Sequence, residues 1–207
     1  MSESLKAHPL LHQWLGLSAA GQVQAFSGKV DLGQGISHAL RLIVAQELRL
    51  SPSLIDMVPA STHTSPDEAV TSGSLSVQHS GAALRCATAY WREMCRIAMA
   101  QRCGVDVAAV RCANGEFSVQ ATTQTASYAE LTSADMWQST IDTTHVQSPH
   151  AAQDTDASLA KPTALRPDVA SKVFGEFEYI HDRVLPNMCH GMVFRPGTLT
   201  AEVIAHD

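Results

Sequence analysis

The chain has 207 residues, 45% hydrophobic and 16% charged, enough apolar material for one good core or two small ones and too much for disorder throughout. A formal net charge of -6, with no local Lys/Arg run, leaves no electrostatic footprint for nucleic acid or an anionic membrane. No stretch reaches the roughly 20 apolar residues of a membrane span. The N-terminal MSESLKAHPLLHQWLGLSAAGQ has neither a twin-arginine start nor a long apolar core, so the expected location is the cytoplasm.

Residues 1–21 read as a polar lead. His8 and His12 stand at i, i+4, but Pro9 weakens the helix that would align them and no third ligand follows, so no metal site is expected. Residues 22–30 (QVQAFSGKV) alternate imperfectly and predict a strand ending at Gly28. After the turn DLGQG, the apolar residues Ile36, Leu40, Ile43, Val44 and Leu48 recur at helical spacing and predict an amphipathic helix. Ser51-Pro52 breaks it, and residues 54–58 (LIDMV) predict a second strand.

Residues 59–81 form a long polar loop with almost nothing to bury, the kind that is usually functional or disordered. It feeds a helix over about residues 82–102, closed by Gly104. Residues 105–112 and 116–120 flank Asn114-Gly115, a strong hairpin signal. Residues 138–167 are rich in Ser, Thr, Asp, Gln, Ala and Pro and have linker composition, whereas the last forty regain apolar content. The fold class is therefore α/β in the mixed α+β sense: a small sheet from strands near 22–30, 53–58, 106–112 and 116–120, with two main helices packed on it. Five cysteines without a C-x-x-C pair imply buried thiols in a reducing compartment rather than disulfides or zinc.

Two turns carry candidate chemistry. The first holds Gly33, Gln34 and Gly35 at a helix N-terminus, where backbone N–H groups and the positive dipole end suit an anion and glycines permit close approach. The second, TSGSLSVQHSG, places Thr71, Ser72, Gly73, Ser74 and Ser76 just before the long helix, with hydroxyls suited to phosphate or a polar heterocycle. An ordinary glycine turn with a solvent-facing Gln34 and an ordinary N-cap are the competing readings. Asp67 and Glu68 are acid–base candidates or solvated surface charges. No G-x-S-x-G, Walker or Cys–His nucleophile pattern is present.

The runs GKVDLGQGISHALRLIVAQEL and SPDEAVTSGSLSVQHSGAALRCA together resemble the molybdopterin-binding region of the molybdenum hydroxylases, the xanthine dehydrogenase and aldehyde oxidase superfamily. They look closest to the branch with isoquinoline 1-oxidoreductase and nicotinate dehydrogenase large subunits. SYAEL at 127–131 and RPDVASKVFGEFEYIHDRVLPNMCHGMVFRP at 166–196 are similar to that branch's next blocks. The resemblance implies a cofactor-binding domain over residues 20–125, a linker over 126–165 and the start of the following domain over 166–207.

It further implies a molybdenum–molybdopterin cytosine dinucleotide cofactor. Gln34 would stand near an oxo ligand of the metal, the flanking glycines would meet the cofactor, and Ser72–Ser76 would line pterin and phosphates. Iron–sulfur centres would sit on a partner subunit, and a complementary molybdenum-binding chain would bring the Gly-Phe-Gly motif and catalytic Glu that are absent here. No catalytic residue is expected in this chain, which alone should be inactive. Three departures stand out: Ser61-Thr62 for Asp-Thr, AQEL for AEEL, and Ala69 where Gly is common. A truncated, non-catalytic homologue serving as an interaction module or inactive remnant is the alternative.

Overall fold

The computed structural model describes residues 2–119, 123–143, 166–198, 200–202, 204 and 205. It divides into two units, Met1–Arg166 and Pro167–Asp207. In chain order the first unit contains α1 (Glu3–Ala7), β1 (Leu15–Leu17), β2 (Val23–Ala25), α2 (Ile36–Leu48), β3 (Ile55–Met57), α3 (Ala82–Cys103), β4 (Val110–Ala113), β5 (Glu116–Val119), β6 (Thr125–Ser127), α4 (Tyr128–Leu131) and α5 (Ala134–Trp137).

The helical spacing from Ile36 gives α2, which buries Ile36, Leu40, Val44, Ala45, Glu47 and Leu48 on one face. It is the crossover between β2 and β3, which pair in parallel with Val23 opposite Ile55 and Ala25 opposite Met57, as a parallel pair requires. The glycine turn therefore lies between the C-terminal end of β2 and the start of α2. Gly104, at φ 65, ends α3 by donating its N–H to the last-turn carbonyls, the expected left-handed helix stop. Asn114 and Gly115 both have positive φ, 50 and 76, the requirement of the tight hairpin turn that joins β4 to β5.

The four expected strands are present and divide between two sheets. One has the order β1-β2-β3, the other β4-β5-β6. The two long helices pack on each other, and a single buried cluster runs through both sheets, with Leu40, Leu84, Trp91, Phe117 and Tyr128 among its members. Trp91 lies 4.7 Å from the Tyr128 ring and 5.2 Å from that of Trp137, and its Nε1 donates to Thr132 Oγ1 at 3.0 Å.

Two expectations are corrected. The first 21 residues are not a polar lead: Leu5, Leu11, Trp14 and Leu15 are each at most 1% exposed, and β1 pairs with β2. Elements of three to five residues are too short to show a period, so composition conceals them. The loop over 59–81 does have something to bury, since Pro66, Glu68, Ser80 and Gly81 are inside. Its last five residues, Val77–Gly81, wind as a π turn directly into α3.

Residues 125–143, which the resemblance places in the linker from 126 and composition only from 138, contain β6, α4 and α5, with Ala126, Tyr128, Leu131 and Ile141 buried. Ser127 and Glu130 form a reciprocal capping box at the start of α4. The rest of that segment, 144–165, lies outside the described residues. Among the described residues no helix is long and apolar enough to cross a membrane.

The second unit contains α6 (Val169–Val173), where Lys172 pairs with Asp168 at 2.6 Å and lies 4.7 Å from the centroid of the Phe177 ring. Phe174, Ile180, Val184, Met192 and Phe194 are all largely exposed.

Candidate cofactor-binding site

The two glycine-bearing segments lie against each other. Val30 N donates to Thr71 Oγ1 at 3.0 Å, and Lys29 Nζ donates to the carbonyls of Glu68 and Val70 at 2.5 and 3.1 Å. Beneath them is a buried polar knot. The Ser27 hydroxyl donates to Glu68 Oε2 at 3.0 Å, so the 2.7 Å contact with Ser80 Oγ has Ser80 as donor, and Lys29 N donates to Ser27 Oγ at 3.0 Å. Ser27 thus uses its one proton and both lone pairs. Gly28 N completes the knot by donating to Glu68 Oε2 at 2.9 Å.

Glu68 is therefore no solvated surface charge: it is 8% exposed and fastens the end of β2 to the second loop. Asp67 is exposed, as expected of a loop carboxylate, and caps its own turn by accepting from Ala69 N at 3.0 Å.

In the first turn, Asp31 Oδ1 accepts from Gly33 N at 2.9 Å and Gly35 N at 3.1 Å, an Asx-type closure. Gly33 and Gly35 have φ of 104 and 76, conformations glycine tolerates best. A Cβ on Gly33 would meet nothing within 4 Å, whereas one on Gly35 would lie 2.8 Å from the Arg166 guanidinium, which donates to Gly33 O at 3.2 Å. The Gln34 amide turns back on its own loop: Oε1 accepts from Leu32 N at 2.5 Å and Nε2 donates to Val30 O at 3.0 Å. Gly35 is the N-cap of α2 and offers no side-chain bond to the helix, so the first-turn N–H groups depend on other acceptors.

In the second turn Thr71 is half-buried and tied to Val30, while Ser72, Gly73 and Ser74 are exposed and Ser76 is half-buried. Gly73 and Ser74 both adopt positive φ, 66 and 57. The expected residues thus come together as two adjacent loops, and Ser27, Lys29 and Ser80 join the set from outside it. A lysine within GKVDLGQG beside a turn that looks solvent-facing is the one sequence hint, and its burial is invisible in the pattern.

His8 and His12 are not on one helix. His8 Nε2 contacts Asp67 O at 2.8 Å and His12 Nδ1 contacts Trp137 O at 3.0 Å. Burial pushes the Cys95 thiol up to about 12 and raises that of Cys112, which leaves both as inert core thiols.

The departures from the family pattern have different physical weight. Ser61 does what an aspartate would: its hydroxyl accepts from His63 N at 3.2 Å. Gln46 is exposed, while Glu47 beside it is buried. Ala69 has φ 55, where a Cβ is costly. Replacing Ala69 by glycine is expected to stabilise the domain by about 1 kcal/mol, read as a higher urea midpoint with unchanged slope.

The chemistry of the two loops is compatible with one wall of a site for a polar cofactor. Among the described residues no group bonds the hydroxyls of Ser72, Ser74 and Ser76, the space over Gly33 is open, and residues 69–77 carry no charge. This is a domain whose strand–turn–helix–strand crossover brings neutral donors and glycine backbone together on two adjacent loops.

Residues 5–165 match the molybdopterin cofactor-binding domain family, and the chain belongs to it. It is 36% identical over 189 residues to a nicotinate dehydrogenase subunit of Pseudomonas putida, covering 88% of this chain and 15% of the relative. It is 33% identical over 118 residues to the gamma subunit of the 6-hydroxypseudooxynicotine dehydrogenase complex of Paenarthrobacter nicotinovorans, covering 57% of this chain and 15% of the relative. The chain thus spans 15% of the length of these curated relatives. Among solved structures it overlays on a Cu,Mo-CO dehydrogenase and on reconstituted CO dehydrogenase from Oligotropha carboxidovorans. Each gives a TM-score of 0.50 at 24% identity, over 56% of this chain and 15% of that one, a likeness of fold alone.

Proposed function

We propose that this chain holds the pyranopterin, as its cytosine dinucleotide, in a molybdenum hydroxylase that oxidises an N-heteroaromatic compound or an aldehyde. The observation that carries the reading is the juxtaposition of the Gly33–Gly35 and Thr71–Ser76 turns, locked by the Lys29 and Val30 hydrogen bonds. When bound, the group supplies a molybdenum centre that takes two electrons from the substrate, with oxygen drawn from water.

The chain's own residues bind and orient. Gly33 and Gly35 allow close backbone approach, Gln34 holds the turn and offers its amide once its internal bonds open, and Ser72, Ser74 and Ser76 supply hydroxyls to pterin and phosphate. The catalytic base lies outside the described residues, and electrons leave through an iron–sulfur subunit. Two relatives carry the names of a nicotinate and a hydroxypseudooxynicotine dehydrogenase, which supports the heteroaromatic class. The unpaired cysteines accord with a cytoplasmic home.

The domain organisation follows the same reading, with residues 126–143 belonging to the first unit rather than to a linker: a cofactor-binding domain that begins near residue 20 and the start of a further domain from 166. The exposed apolar side chains of the second unit support further protein, of the same polypeptide or of a partner, that covers them.

The test is molybdenum and pterin content of the protein purified from its native host. Wild type is expected to carry both in stoichiometric amounts. Gln34→Ala is expected to lose most of the cofactor while losing less than about 1 kcal/mol of stability, because an exposed turn residue buries little. A clean apo-protein from a cofactor-replete host would instead favour the truncated, non-catalytic homologue. Ala69 at φ 55 and the inward-folded Gln34 amide are the observations on that side.

A further inference from the structure

Lys29 is the most deeply placed cation of the first loop, 7% exposed. Its ammonium makes no ion pair within 4.0 Å of a carboxylate among the described residues. It spends two donors on main-chain carbonyls two residues apart, Glu68 O and Val70 O. A buried ammonium is costly unless its donors are used, and here the acceptors belong to the strand of backbone that leads into Thr71, Ser72, Gly73 and Ser74. That backbone needs holding: Ala69, Gly73 and Ser74 all have positive φ, 55, 66 and 57, two of them in side-chain-bearing residues that disfavour it. The Glu68 carboxylate acts at the other end, on Ser27 Oγ and Gly28 N.

We propose that Lys29 is a positioning residue for the second cofactor loop. It fixes the backbone of residues 68–71 through two carbonyls, so that the hydroxyls of residues 71–76 face the ligand in one arrangement before it binds. The clamp belongs to backbone and ammonium, and the Glu68 carboxylate is not its partner. The proposal rests on the cofactor reading of the two loops. Preorganisation of this kind raises affinity by removing the cost of ordering a loop on binding.

The experiment is amide hydrogen exchange on the full chain, with molybdenum and pterin content of the same variants from the native host. Lys29→Met keeps the aliphatic stem and removes the donors. It is expected to speed exchange at residues 69–76 about tenfold, to leave α2 and α3 protected, and to lose cofactor. Glu68→Gln retains the carbonyl that Lys29 grips and an amide oxygen able to accept from Ser27 Oγ and Gly28 N, so it should speed exchange at 69–76 clearly less than Lys29→Met does. If methionine prevents folding, Lys29→Gln, whose shorter head falls short of both carbonyls, must show the same local loosening.

Equal loosening by Glu68→Gln and Lys29→Met would make the lock a side-chain pairing and overturn the proposal. So would exchange that rises throughout α2 and α3, the mark of a general structural role, or cofactor retained in full despite a loosened loop. Absence of molybdenum and pterin from wild type itself would sink the cofactor reading, while exchange would still report whether Lys29 holds the loop.

Discussion

Gly28→Ala is expected to cost about 3 kcal/mol or more and to leave little folded protein at 37 °C. The new Cβ would overlap the Pro66 carbonyl oxygen and sit 3.1 Å from Glu68 N and 3.2 Å from Glu68 Cβ. The atoms in the way are mostly backbone, in a stretch where Pro66 and Glu68 are buried, so relief requires the 66–68 segment to withdraw. Withdrawal breaks the bond from Gly28 N to Glu68 Oε2 and the one from Ser27 Oγ, leaving a buried carboxylate short of donors. Gly33→Ala is the control. It meets open space, so only the strain of φ 104 remains, about 2 kcal/mol. Urea unfolding of both variants checks this. Equal small shifts would mean that the 66–68 segment moves freely and that the knot beneath the site is not rigid.

That contrast marks what is legible in the sequence. Elements with a long period or an obligatory turn residue are readable: α2 from its apolar spacing, α3 with its Gly104 stop, and the Asn114-Gly115 hairpin. The two glycine turns are readable as turns at helix starts. Their contact is not, because nothing local links Val30 to Thr71, forty-one positions apart in the chain.

Glu68 misleads for the same reason. A carboxylate in a polar stretch is usually solvated, and only the tertiary approach of Ser27 and Gly28 turns it inward. The N-terminal elements are hidden by brevity, since Leu5, Leu11 and Trp14 enter the core from pieces too short to show a period. The resemblance supplies what spacing alone does not, the kind of ligand, and the glycine positions of the pattern prove to be places where φ or close approach demands it. Ala69 shows the converse, a position where the pattern asks for glycine and the backbone remains left-handed without it.

The second large effect is expected at Glu47, on the face of α2 turned to α3. It is 3% exposed, with Oε1 2.7 Å from Arg85 Nη1 and Oε2 3.4 Å from Arg92 Nη1, and Arg92 also donates to the Glu47 carbonyl. Removing the carboxylate leaves Arg85 facing a helix contact without its acceptor and Arg92 with only the Glu47 main-chain carbonyl, the costly half of breaking a buried pair. The arginine side chains keep 26% and 19% exposure, so water recovers part of the loss. Glu47→Ala is therefore expected to cost about 2 kcal/mol. Gln46→Glu, one residue away but exposed, should change stability by less than about 0.5 kcal/mol. Because the pair is mostly shielded, 1 M salt should narrow the gap between wild type and Glu47→Ala only in part. A gap that vanishes in salt would assign the stabilisation to solvent-exposed charge. A gap that persists would place Glu47 as the electrostatic tie between the helix that starts at the glycine turn and the helix that ends the second loop.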